Sequence, residues 1–307
     1  MCSSDLGSPL ATHSEDSGSS PYFWMLGSAA SFSVMGALAH LLREKLIWQF
    51  IALTRTSLAL LFTLTLTTWA GVPLVFFRPR TLWIRSLAGS VSLVLTFYAL
   101  THLPISNALT LTNMFPVWVA LLTWPILGLR PTSGVWLAVV SGLCGVVLVQ
   151  HPELEGGERL GAAAALASSF STAVAMMGLH RLRTIDPRAI VVHFSAVSTL
   201  IVATVCGLTG ESPSLSSIAS PDVAAMLLTL GLTATIGQIA MTRAFAIGHP
   251  PAVAVVGLTQ IVFAMGFDVV LWRRTFDAVT LVGIALVVAP TAWLMLQGRF
   301  DEPTLDA

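Results

Sequence analysis

The chain has 307 residues, of which 55% are hydrophobic and 10% are charged, whereas a soluble domain carries about 25% charged residues. Its mean hydropathy is +0.83, and its 15 basic and 15 acidic residues give a formal net charge of zero. This composition excludes nearly every soluble enzyme, and the lack of a basic surplus excludes a nucleic-acid-binding protein.

Ten runs of about 20 mostly apolar residues follow one another along the chain, and each can cross a hydrocarbon layer of about 30 Å as one helix. The predicted spans are residues 22–42, 46–70, 81–101, 104–127, 133–150, 160–179, 189–208, 222–247, 250–272 and 278–297. The sequence therefore predicts an all-α integral membrane protein with ten transmembrane helices.

The segments outside the spans are short and polar. Residues 1–21 are rich in Ser, Gly and Asp, so we expect a disordered tail, and residues 298–307 form a second tail. The opening Cys2-Ser3-Ser4-Asp5-Leu6 resembles a translated sequencing-adapter read, so we expect the native chain to begin later. The first span follows no basic region of the kind a signal peptide needs, which favours an uncleaved helix.

The orientation is predicted from Lys and Arg near the span ends. With a cytoplasmic N-terminus, the inner side holds eight basic residues, Arg85 among them, and the outer side holds five. We therefore expect both termini on the cytoplasmic side of the cell (inner) membrane.

A weak internal repeat has a period of about 145 residues. Phe97-Tyr98-Ala99-Leu100 and Pro104 in the first half correspond to Thr242-Arg243-Ala244-Phe245 and Pro250 in the second. The predicted repeats are residues 22–150 and 160–297, joined by a linker at 151–159. Five spans per repeat is an odd number, so the second repeat would enter the membrane inverted, as in many secondary transporters.

A longer pattern resembles a known family. Its segments are Trp83-Ile84-Arg85-Ser86-Leu87-Ala88-Gly89, Phe97-Tyr98-Ala99-Leu100, Leu103-Pro104-Ile105-Ser106-Asn107-Ala108 and Phe115-Pro116-Val117. The pattern is similar to the drug/metabolite transporter superfamily, specifically its EamA-type members with two five-helix repeats. That resemblance implies a carrier for small metabolites with a central cavity between the repeats. The chain departs from the family at Gly128-Leu129-Arg130-Pro131, where a Glu is usual.

The fourth span combines a predicted helix break with a polar face. Pro116 has no N–H, so the Thr112 carbonyl loses its helical partner and needs another donor, water or a ligand. Ser106, Thr110 and Asn113 follow helical spacing and share one face. This face predicts a cavity wall. The alternative is interhelical hydrogen bonding, worth about 0.6 kcal/mol per contact.

The repeat carries this polar position into the second half. Asn113 corresponds to about Thr259, beside Gln260, and Thr235 and Gln238 extend a polar face in the eighth span. We expect these residues to line the same cavity. Trp118 lies deep in the fourth span, where it could stack on a planar solute or pack against a helix.

Two ionisable residues lie inside spans, where charge is costly. A central arginine costs about 2.5–3.5 kcal/mol on insertion scales, so Arg55 is expected to avoid lipid. Asp268 is the carboxylate placed inside a span, and we hypothesise that it forms an ion pair with Arg55. In the alternative, Arg55 extends outward and Asp268 caps the basic pair Arg273 and Arg274.

Together these features predict a secondary transporter that moves a small-molecule solute across the lipid bilayer by alternating access. The alternatives are an integral membrane enzyme acting on lipid or prenyl substrates, and a non-transporting receptor or assembly subunit. The sequence shows no paired acids, no phosphate-binding glycine loop and no metal-ligand spacing. We therefore expect no catalytic residues, metal or cofactor, and both a monomer and a homodimer remain open.

Overall fold

The computed structural model describes residues 20–103, 105–150, 159–209, 220–273 and 276–300. Within these ranges the secondary structure consists of helices and contains no strand. The helices are α1 (Pro21–Leu42), α2 (Trp48–Trp69), α3 (Arg80–His102), α4 (Ile105–Thr112), α5 (Phe115–Leu127), α6 (Ser133–Gln150), α7 (Arg159–Arg181), α8 (Pro187–Thr209), α9 (Pro221–Ile247), α10 (Pro250–Gly257), α11 (Thr259–Trp272) and α12 (Ala278–Phe300).

Ten segments of the described chain are long and apolar enough to span a membrane. The fourth segment combines α4 with α5, and the ninth combines α10 with α11. The prediction of a ten-helix membrane protein is therefore confirmed, and the helix ends agree with the predicted spans to within about three residues.

The predicted tails and linker fall mostly outside the described residues, namely at 1–19, 151–158 and 301–307. At their edges the helices begin earlier or end later than expected. Helix α1 begins at Pro21, inside the predicted tail, because proline suits a first turn whose N–H has no helical partner. Likewise α7 begins at Arg159, and α12 continues to Phe300.

Turn chemistry fixes other helix ends. Helices α9 and α10 also begin at prolines, and the Ser220 hydroxyl accepts a hydrogen bond from the Val223 N–H at 3.4 Å to cap α9. Gly128 ends α5 in the left-handed conformation, with φ of 72°, and its N–H donates to the Trp124 carbonyl.

Small residues allow the closest helix contacts. A Cβ on Gly145 of α6 would lie 2.6 Å from the Gly283 carbonyl oxygen of α12. On α7, Ala165 and Ala173 are fully buried, and a Cβ on Gly161 would meet Leu103. Helices α6 and α12 therefore pack through their backbones, and α7 packs closely against side chains at the end of α3.

Hydroxyl groups join α3 to α7 along a polar seam, which comprises Ser92, Thr96, Ser168 and Thr172. Ser92 Oγ shares hydrogen bonds with Thr172 Oγ1 at 2.6 Å and with Ser168 Oγ at 3.1 Å. Thr96 Oγ1 and Ser168 Oγ share another at 2.6 Å. This seam fixes the position of α3 in the bundle.

Candidate functional site

The fourth and ninth spans each consist of two helices, with a short non-helical break near the middle of the span. Helix α4 ends at Thr112 and α5 begins at Phe115, while α10 ends at Gly257 and α11 begins at Thr259. The first interruption falls directly before Pro116, which cannot donate to a carbonyl in the preceding turn. The two interruptions are about 145 residues apart, which is the period of the sequence repeat.

The three candidate residues beside the first interruption differ in their surroundings. Asn113 is partly buried, and its Nδ2 donates to the Leu109 carbonyl at 2.7 Å. Thr110 is buried, with 8% of its surface exposed. The Ser106 side chain lies outside the described residues. A role for these three residues in lining a cavity stays a prediction.

Trp118 lies at a helix interface. Its Nε1 donates to Ser169 Oγ of α7 at 3.0 Å, and its ring meets Phe170 edge-to-face at 5.6 Å between centroids. Both contacts hold α5 against α7. In this conformation the tryptophan therefore serves helix packing.

Two of the second-half candidates bond carbonyl groups of their own span. The Thr235 hydroxyl donates to the Gly231 carbonyl at 2.8 Å, and the Thr259 hydroxyl donates to the Val256 carbonyl at 2.7 Å. The Gln260 side chain is exposed on the surface of the bundle.

Gln238 differs from the other candidates because it meets a charged side chain from the first half. It is 7% exposed, and its Oε1 accepts a hydrogen bond from Arg85 Nη2 at 3.3 Å. Arg85 is 1% exposed, and its guanidinium carbon lies 4.1 Å from the centroid of the Phe194 ring. A cation over an aromatic face is attracted by the ring quadrupole. These contacts join α3, α8 and α9.

Two glycines make room for the Arg85 side chain. A Cβ on Gly89, one turn further along α3, would lie 2.7 Å from Arg85 Nη1 and 2.8 Å from Phe194 Cε2. A Cβ on Gly178 of α7 would lie 3.1 Å from Arg85 Cβ. Both positions are tight enough that a larger residue would displace Arg85 or its aromatic partner.

Arg85 has fewer partners than a buried arginine normally requires. Within the described ranges, its Nε and Nη1 atoms are buried and make no hydrogen bond. Its bond to Gln238 is long, since charge-assisted hydrogen bonds to oxygen measure about 2.7–2.9 Å. We call Arg55, Arg85, Phe194 and Gln238 the polar centre. The positive charge of Arg85 in this centre is stabilised only in part by the neutral groups that contact it.

A second arginine, Arg55, lines a narrow cleft together with Gln238. The cleft is lined by residues of α2, α3, α8 and α9, namely Arg55, Thr56, Ala59, Leu93, Phe194, Ser195, Ala234 and Gln238. Its cavity volume is about 10 Å³, roughly the space that one water molecule needs. The cleft is closed to solutes in this conformation.

The proposed ion pair of Arg55 with Asp268 stays a prediction. The Asp268 side chain lies outside the described residues. Arg55 itself lies in the cleft wall. That this arginine avoids lipid likewise stays a prediction.

Hydrogen bonds in the turns that follow Arg85 fasten α3 to α8. Ser86 Oγ bonds His193 Nδ1 at 2.8 Å, and Ser90 Oγ bonds Ser198 Oγ at 2.8 Å. All four side chains are buried, with 2% exposure or less. They fix Arg85 and Phe194 relative to each other.

Arg85 was not among the residues predicted to form the site. It lies near a span end, where basic residues commonly determine the orientation of a membrane protein. Two signals were present. Arg85 lies inside the predicted span 81–101, and a glycine follows it one helical turn later. An arginine inside a span generally faces the bundle interior, as it does here.

Comparison with known proteins gives a family and several relatives. The EamA-like transporter family matches residues 19–150 and 159–296. A Pseudomonas aeruginosa protein named pseudopaline exporter CntI is 30% identical over 260 residues, which cover 84% of this chain and 89% of the relative. Human solute carrier family 35 member G1 is 24% identical over 219 residues, covering 67% of this chain and 59% of the carrier.

A solved crystal structure shares the fold. It superposes with a TM-score of 0.75 at 18% identity, and the match covers 92% of this chain and 97% of the other. This likeness extends over nearly the whole bundle.

Proposed function

The chain belongs to the EamA-like transporter family, and from this premise we propose that it is a secondary transporter that carries a small organic solute by alternating access. Membership of this family and relatives named as transporters point to transport rather than catalysis. The relative named as an exporter supports movement of the solute out of the cell.

The observation that carries the proposal is the narrow cleft between the two halves of the chain, whose lining includes Arg55 and Gln238. Arg55 and Leu93 come from the first half, whereas Phe194 and Gln238 come from the second. A site formed by both halves opens to one side or the other when the halves rock against each other. The cleft then binds the solute in turn from each side of the membrane.

We propose that the halves are inverted repeats, residues 22–150 and 160–297, with both termini in the cytoplasm and the protein in the inner membrane. The matches of the family to residues 19–150 and 159–296 support two repeats. The interrupted spans support them as well, because the breaks at Asn113 and Leu258 occupy equivalent places. Such breaks provide hinges within otherwise rigid helices.

Transport is tested with purified protein in proteoliposomes. The vesicles are loaded with a small-molecule extract of bacterial cells, and solute efflux is followed by mass spectrometry against protein-free vesicles. We expect a subset of solutes to leave only the protein-containing vesicles. Efflux that is the same in both preparations contradicts the proposal.

Alternating access is tested by labelling single cysteines at Asn113, Gln238 and Gln260 in a chain whose native Cys2, Cys144 and Cys206 are replaced by serine. A membrane-impermeant maleimide is added from either side, in the presence and absence of the extract. We expect Gln238→Cys to be labelled from both sides, with a ratio that the extract changes. Protection of all three positions from both sides in every condition would rule the mechanism out.

A further inference from the structure

Resting on the proposed function, we infer that the transported solute is an organic anion with a carboxylate group, which Arg55 and Arg85 bind at the position of Gln238. The inference concerns the chemical class of the solute. It follows from the charge of the polar centre and from the geometry around Arg85.

The polar centre has two cations and, among its described residues, no carboxylate. Arg55 lies in the cleft wall, Arg85 contacts the cleft residue Gln238, and the lining side chains other than Arg55 are neutral. The described carboxylates near these helices, Asp186 and Asp222, lie outside α8 or in the first turn of α9. Charges interact strongly in an apolar interior, so this centre attracts anions and repels cations.

Among the described residues, the contacts of Arg85 leave part of its hydrogen-bonding capacity unused. Phe194 covers the face of the guanidinium, whereas the hydrogen-bond donors lie in the guanidinium plane. In the described part of the chain, two of its three nitrogens are buried without a hydrogen-bond partner. A carboxylate is planar and matches this fork with two parallel bonds. The site is therefore suited to a flat anionic group.

Gln238 occupies the place that we assign to a solute oxygen. Its amide oxygen is an uncharged acceptor at 3.3 Å from Arg85 Nη2, and the same residue lines the cleft together with Arg55. A solute carboxylate can displace this weak acceptor and form shorter bonds with Arg85 while facing Arg55. When the solute leaves, the Gln238 amide bonds Arg85 again. The guanidinium therefore keeps a hydrogen-bond acceptor while the empty transporter returns to its starting conformation.

The substitution Gln238→Glu tests this exchange. It places a carboxylate of nearly the same shape beside Arg85, so the chain supplies its own anion. We expect the unfolding temperature in detergent to rise by several degrees and the transport rate to fall at least tenfold. Gln150→Glu, at the end of α6, is the matched control and leaves both values unchanged. Wild-type transport by Gln238→Glu overturns the inference.

Arg55→Gln is a second test that does not depend on the stability of Gln238→Glu. It removes one cation from the cleft and keeps a polar side chain. We expect the KM of a transported carboxylate to rise at least fivefold, and Arg85→Lys, which keeps the charge but loses the fork, to give a smaller rise than Arg85→Gln. An unchanged KM in Arg55→Gln contradicts the inference.

The solute class is tested with the bacterial extract before and after its carboxyl groups are converted to methyl esters. We expect each transported solute to carry a carboxylate and its efflux to fall at least tenfold after esterification. Efflux of neutral solutes, or of phosphate esters without a carboxylate, overturns this inference and leaves the proposed function intact. Absence of any protein-dependent efflux instead overturns the proposed function.

Discussion

Helix α3 carries two polar regions that differ in how completely their groups are paired. In the seam with α7, the hydroxyls of Ser92, Thr96 and Ser168 bond one another at 2.6–3.1 Å and carry no charge. Two turns earlier, Arg85 is charged and bonds a neutral amide at 3.3 Å. Paired neutral groups hold helices together in a membrane, whereas an incompletely paired charge suits a partner that binds and leaves.

The strongest test of this contrast is Arg85→Met. Methionine removes a buried charge that has no ionic partner among the described residues, and relief of its desolvation offsets the lost hydrogen bond to Gln238. We therefore expect transport to fall at least tenfold without a loss of thermal stability, as measured by efflux from proteoliposomes and unfolding in detergent.

The matched control for that substitution is Arg243→Met. Arg243 also lies inside a span, and its guanidinium carbon is 4.5 Å from the Trp24 ring, but it does not line the cleft. We expect Arg243→Met to keep more than half of the transport rate. If Arg85→Met transports normally, or if both variants lose transport equally, the contrast between the two regions is wrong.

Gly89→Ala is expected to have the next largest effect. The added Cβ would lie 2.7 Å from Arg85 Nη1 and 2.8 Å from Phe194 Cε2, so one of these side chains must move. Overpacking of this kind costs about 1–3 kcal/mol. We expect a several-fold loss of transport and a lower unfolding temperature. Gly27→Ala is the control, since a Cβ there meets nothing within 4 Å. If the two variants have the same transport rate and unfolding temperature, the position of Arg85 is not important for transport.

Ser168→Ala tests the other side of the comparison. It removes the bonds of the Ser168 hydroxyl to Thr96 and Ser92, each worth about 0.6 kcal/mol, so stability should fall by about 1 kcal/mol. Transport should stay within twofold of wild type. Thr204→Val is the control, because the Thr204 hydroxyl is exposed and bonds its own helix. A loss of transport that exceeds the loss of folded protein would assign the seam a role in the site.

The architecture could be predicted from the sequence because each span is a local property of about 20 residues. Hydropathy identified ten spans, and the break before Pro116 follows from the missing N–H of proline. The contacts between side chains of the polar centre could not be predicted from local sequence. Arg85 and Gln238 are 153 positions apart, and their meeting depends on how α3 and α9 pack.

Helical spacing predicts which candidate residues share a face, but it does not determine which of them contact another helix. A threonine or asparagine on a helix can bond a carbonyl one turn earlier instead of reaching another helix. Thr235 and Asn113 both do so. Gln238 shares their spacing pattern, but its longer side chain meets Arg85. The polar pattern identifies a face, and the packing of neighbouring helices decides which of its members make contacts across the bundle.

Arg188 supplies the smallest test, since it is an arginine with a full ionic partner. It donates through Nε and Nη2 to the two carboxylate oxygens of Asp186, at 3.0 and 2.8 Å. The hydrogen bonds from Arg188 hold the pKa of the Asp186 carboxyl below its usual value of 3.8. The stabilisation is therefore present above pH 3.8 and is lost as the pH falls through the lower pKa of the folded protein.

Because both side chains are about one-third exposed, the pair should contribute less than about 1 kcal/mol. Asp186→Asn should lower the unfolding temperature slightly at pH 6, and its difference from wild type should shrink as the pH falls below 4. Transport should be unchanged at pH 7, because this pair lies outside the cleft. A difference that grows on acidification would mean that the pair does not stabilise the fold. A lasting loss of transport at pH 7 would extend the functional centre to this end of α8.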